Sequence, residues 1–170
     1  MKNIGFEIKW AFIFVVMTLI WMLTERLTGL HSTHIDQHPI YTNFIAIPAI
    51  AVYVFALLDK RKNFYDGTMT YMQGFISGLM ITAFVTLISP ITQYITSTII
   101  TPEYFPNVIK YAVSQGKMTQ EAAESYYNMK SYIIQALIGT PVMGLITTAI
   151  VAIFTRRNQS AINKKVDAAN

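Results

Sequence analysis

Cysteine is absent from the 170 residues, which removes disulfides, thiolate metal sites, iron–sulfur clusters and cysteine nucleophiles together. Charge is scarce. Only 13% of residues are charged against 53% hydrophobic, where a soluble domain carries roughly 25% charged residues. The deficit points to lipid as the solvent. The net charge of +4 does not imply nucleic acid, because the basic residues sit at the ends of apolar runs and form no stripe interleaved with aromatics. Also missing are a serine–histidine–acid arrangement, a glycine-rich phosphate loop and an H-E-x-x-H helix, so no enzyme and no cofactor are expected.

What the chain does contain is four long uncharged stretches, and runs of about 18 or more apolar residues are membrane spans. The sequence predicts an all-α, polytopic integral membrane protein with four transmembrane helices, as one membrane domain over residues 1–157. The spans are placed at about 8–28, 39–58, 68–101 and 124–155. The first ends in LTERLTGLH with no small-residue cleavage site, so it reads as a retained span. Glu25 and Arg26 fall at its outer end, in the headgroup region, and Gly29 is a helix stop. Pro39 suits a first helical turn, and Pro90 is the expected kink in a third helix too long for a straight crossing.

Residues 102–130 form the one long polar stretch, read as an outer helical connection. A short helix ends near the QGK turn, Thr119 caps a second one, and that second helix is expected to run unbroken into the fourth span. The third and fourth helices would then protrude as a long hairpin. The aromatics Tyr104, Phe105, Tyr111, Tyr126, Tyr127 and Tyr132 fit an interfacial girdle. Residues 158–170 read as a flexible cytoplasmic tail.

Orientation follows from lysine and arginine. With the N terminus inside, Lys2, Lys9, Lys60, Arg61, Lys62, Arg156, Arg157, Lys164 and Lys165 are cytoplasmic, against Arg26, Lys110, Lys117 and Lys130 outside. That asymmetry puts both termini in the cytoplasm, with Lys60, Arg61, Lys62, Arg156 and Arg157 as the determinants.

Two patterns are candidates for something more. The loop HSTHIDQH offers His31, His34, His38 and Asp36, residue types that ligate zinc and its neighbours. On a helix the three histidines would share a face, with Asp36 pointing elsewhere, but His38 precedes Pro39, which disfavours helical geometry there. A solvated turn or a cap for the second helix is the preferred reading, ahead of a metal or pH-sensing cluster. Along the third span Thr70, Gly74, Gly78 and Thr82 recur every fourth residue, a spacing that lets two helix backbones approach closely. An intramolecular seam is preferred to a dimer face.

The stretch YTNFIAIPAIAVYVFALLDKRKNFYDGTMTYMQGFISG, with SPITQYI, PEYFPNVIKYAVSQGKMTQEAAESYYNMKSYIIQ and a final RR, resembles the DUF4199 family. The resemblance covers about residues 5–157. It implies a bacterial protein, mainly of Bacteroidota, with four membrane helices, and it brings no catalytic or binding residues. The function expected is that of a non-enzymatic accessory or interaction component of the bacterial inner membrane, partnered by lipid and by an envelope protein or a second copy. A small oligomeric transporter or channel subunit is the alternative, and a metal or pH sensor using the outer histidines the second alternative.

Overall fold

The computed structural model describes residues 4–157; the 158–170 tail lies outside the described residues. The chain is all-α: α1 (Ile4–Leu27), α2 (His38–Phe64), α3 (Tyr71–Ile100), α4 (Tyr104–Ser114), α5 (Gln120–Tyr126) and α6 (Met129–Thr155). α1, α2, α3 and α6 are long and apolar enough to cross a membrane. Large side chains such as Phe12, Leu87, Ile138 and Phe154 point outward and stay exposed, which suits lipid and not water.

The bundle is organised around α3 and α6, which share the most extensive contact, with α1 packed on α3 and α2 on α6. Small residues set this pairing. Gly78 on α3 faces Thr148 on α6, Gly144 on α6 faces Thr82 on α3, and Gly74 faces Ala152, all in one antiparallel register. Just below Gly74, Met69 and Arg157 exchange two backbone hydrogen bonds in that same register. The glycine stripe is therefore an intramolecular seam, completed by Gly144, Thr148 and Ala152. Thr70 does not belong to it: its hydroxyl accepts from the Gln73 amide while the Gln73 side chain accepts from the Thr70 amide, a capping box that starts α3.

Prolines remove amide donors inside the long helices, and at one of them a hydroxyl replaces the missing donor. Pro90 sits inside α3, where it removes the donor for the Thr86 carbonyl, and Ser89 Oγ donates to that carbonyl at 2.8 Å. The helix continues through Pro90, and the departure from α geometry falls at Thr96–Ile100, which is π-helical. In α2 a 3-10 stretch, Thr42–Ile45, precedes Pro48, whose missing amide leaves the Phe44 carbonyl without its ordinary partner. Thr18, Thr82, Thr86 and Thr92 return their hydroxyls to carbonyls one turn back, so these polar groups are satisfied inside their own helices.

The connection over 102–130 departs from a continuous rod. α5 ends at Tyr126 and α6 begins at Met129, because Asn128 closes one helix and opens the other. Its Nδ2 donates to the carbonyls of Glu124 and Ser125, and its Oδ1 accepts from the Ser131 amide at 2.9 Å. Thr119 caps α5, as its sequence position implies. The connection does not stand out as a hairpin: Asn107 on α4 reaches back to donate to the His31 carbonyl at 2.9 Å, laying α4 over the α1–α2 loop.

Candidate functional site

The chain leaves α1 through a Schellman turn. The Leu30 amide bonds the Glu25 carbonyl, the Gly29 amide bonds that of Arg26, and Gly29 has φ +79°. A Cβ on Gly29 would lie 2.5 Å from Thr33 Oγ1, so only glycine fits. This reversal folds the loop onto the helix end it has just left and sets His31 over Glu25.

Glu25, expected at the outer end of the first span, is 1% exposed and enclosed by the protein itself. Trp21, one turn earlier, donates its indole N–H to Oε1. The other oxygen, Oε2, lies 2.9 Å from His31 Nε2 and 3.5 Å from His38 Nε2, and one ligand atom from each of the three residues lies within 4.8 Å of the others. His31 is buried and its Nδ1 has no hydrogen-bond partner. Tyr104 from α4 walls the cluster, its ring 4.9 Å from His31 and 5.2 Å from His38. Its hydroxyl meets that of Tyr132 at 3.1 Å. Burial, with Tyr132 beside it, pushes the Tyr104 phenol well above its ordinary pKa, so the group stays protonated. These side chains border a cavity of about 220 Å³ that Gln93, Ser97 and Thr101 of α3 and its following turn also line.

The structure thus brings together His31 and His38 from the HSTHIDQH loop and separates them from the other two candidates. His34 turns away to the Thr28 carbonyl at 3.1 Å, and Asp36 is exposed. The three histidines do not share a helix face, because the loop is a run of turns and α2 starts only at His38. Glu25 is the residue that sequence reasoning missed, although Gly29 signals the turn that brings the loop back onto it. Tyr104 and Tyr132, expected as interfacial aromatics, belong to this cluster.

A second buried ionic group occupies the opposite end of the bundle. Glu7 on α1 accepts from Lys60 Nζ at 2.7 Å and from Ser77 Oγ at 2.8 Å, with Glu7 3% and Lys60 6% exposed. The ammonium also lies 4.6 Å and 4.5 Å from the ring centroids of Phe6 and Phe64. Of the residues expected to set orientation, Lys60 is paired with Glu7 inside the fold. Arg61 donates to the Thr155 carbonyl at the end of α6, Arg157 makes the backbone bridge to Met69, and Lys62 is exposed. Between the two ends the middle of the bundle is closed by Ala11, Leu57, Ile81 and Val85, with the Tyr53 and Thr82 hydroxyls bonded to each other at 2.7 Å.

A family model described as "Protein of unknown function (DUF4199)" matches residues 9–157, most of the chain. No curated protein and no solved structure matches it.

Proposed function

The chain belongs to the DUF4199 family, and from that premise and its geometry we propose a non-enzymatic binding or accessory component of the bacterial inner membrane. Both termini face the cytoplasm, and the cluster of Glu25, His31, His38 and Tyr104 faces outward. The observation that carries this reading is the contrast between a cavity bordered by ionisable side chains at one end and a closely packed middle. A buried carboxylate, two imidazoles and two phenols converge on about 220 Å³, whereas Leu57 and Ile81, both 0% exposed, stand between that cavity and the Glu7–Lys60 end. Such a molecule holds something at its outer end and does not pass it through. Its partners are the bilayer and an envelope protein or a second copy of the chain, engaged through α4 and α5, with no role for nucleic acid.

Crosslinking from α4 and α5 in native membranes, paired with flux assays in sealed proteoliposomes, tests the reading. A reproducible partner with no flux above empty vesicles is the expected pattern. Flux of ions or small solutes that depends on the protein would replace this reading with the small transporter.

A further inference from the structure

The molecule buries two glutamates in ionic clusters, and their surroundings differ in one respect. Glu7 has a permanent cation, Lys60, at 2.7 Å. Glu25 has none among the described residues: its ionic partners are the two imidazoles alone. A carboxylate this deeply buried needs a compensating positive charge. We propose that Glu25 Oε2 and the Nε2 atoms of His31 and His38 form a binding site for a divalent transition-metal ion of the zinc class, deepening the binding role proposed above and resting on it.

Several observations converge on that ligand. Two imidazoles with one carboxylate suit zinc, cobalt, nickel or copper, whereas magnesium and calcium take oxygen-only sets. Ligands about 2.0–2.1 Å from a tetrahedral zinc stand roughly 3.3 Å apart, and the Oε2 to Nε2 separations here are 2.9 and 3.5 Å. His31 is buried with Nδ1 unpartnered, so the protein alone leaves one polar atom of the trio unsatisfied, on the side of the ring away from Glu25. Part of a supporting shell is present: Trp21 bonds the second oxygen of Glu25, Asn107 donates to the His31 carbonyl, and the Tyr104 ring packs against both imidazoles. His38, whose side chain is 17% exposed against 2% for that of Glu25, marks the way in. The cavity beside the trio leaves the fourth position to water or to a donor from a partner.

The test uses the full chain in nanodiscs, purified without a histidine tag and stripped with chelator, then titrated with zinc chloride. The expected result is saturable binding of about one zinc per chain. Glu25→Gln and His38→Ala should each weaken it by about 100-fold or more, beyond the 10–100-fold that loss of a supporting residue costs. His34→Ala and Asp36→Ala should leave it unchanged. X-ray absorption on a cobalt-loaded sample should report two imidazole ligands. His38, at the rim, can be removed without emptying the core, so its variant keeps the test meaningful if Glu25→Gln misfolds. No stoichiometric zinc on the parent protein, or equal loss on His34→Ala, overturns the metal site; partner crosslinks without flux would still leave the binding role standing. Conversely, zinc-dependent flux would keep the metal site and remove the accessory role.

Discussion

Gly78 and Thr148 meet where α3 crosses α6, so closely that a Cβ on the glycine would lie 2.5 Å from the threonine methyl. The relation is reciprocal one turn away, where Gly144 receives Thr82. Within a bilayer no hydrophobic drive separates helix–helix from helix–lipid contact, so this interlocking supplies the association through dispersion and short approach.

Gly78→Ile and Gly144→Ile should therefore lower the melting temperature in detergent. Overpacking costs about 1–3 kcal/mol, more than the roughly 0.5–1 kcal/mol that helix propensity returns. Gly139, on the same helix, would place a Cβ in open space, so Gly139→Ala should hold or raise the melting temperature. Equal behaviour of all three would remove the seam.

The Glu7–Lys60 pair makes a different forecast. Removing one partner of a buried pair strands the other, at about 3–5 kcal/mol, whereas replacing both with apolar residues is often neutral. Lys60→Met alone should destabilise strongly, and adding Glu7→Leu should recover most of the loss. Additive losses in the double variant would mean that the two charges act independently. Ser77, also bonded to Glu7, stays in the background of every variant of the cycle.

Asn128 is expected to act locally. Asn128→Ala removes an N-cap worth about 1 kcal/mol and two donors to the end of α5. Amide exchange should quicken over residues 120–132 and stay unchanged at the α3–α6 seam. Asn128→Asp, which keeps the acceptor but loses the donors, should fall between the parent and the alanine variant.

Orientation is open to a background-free measurement because the chain has no cysteine. Ser114→Cys on exposed α4 should react with an impermeant thiol reagent on intact spheroplasts, and Ala161→Cys only after permeabilisation. The reverse pattern would invert the assignment of inner and outer faces.

The four spans are legible in the sequence because apolar runs and their charged ends are local signals. The boundaries show where locality fails. α2 continues to Phe64, six residues past the apolar run expected to span at 39–58, with Lys60 bonded to Glu7 on α1 and Arg61 to the end of α6, partners 53 and 94 residues distant. α6 starts at Met129 and not at 124, because one asparagine serves two helix ends. The candidate site was half visible: His31 and His38 stood out by residue type, while Glu25 looked like the ordinary polar end of a span. Only the Gly29 turn, which doubles the loop back, turns that end into an interior.

The paired hydrogen bonds between Met69 and Arg157, 2.9 and 2.8 Å, have a mechanical consequence. The last described residue of the chain is riveted to the residue that precedes the α3 capping box, so tension applied beyond Arg157 reaches α3 and α6 together. It must open that rung before it can unwind the final turn of α6. A tether or docked protein at the C-terminal end would thus pull on the whole helix pair as one lever, with the Gly78–Thr148 crossing two turns further in.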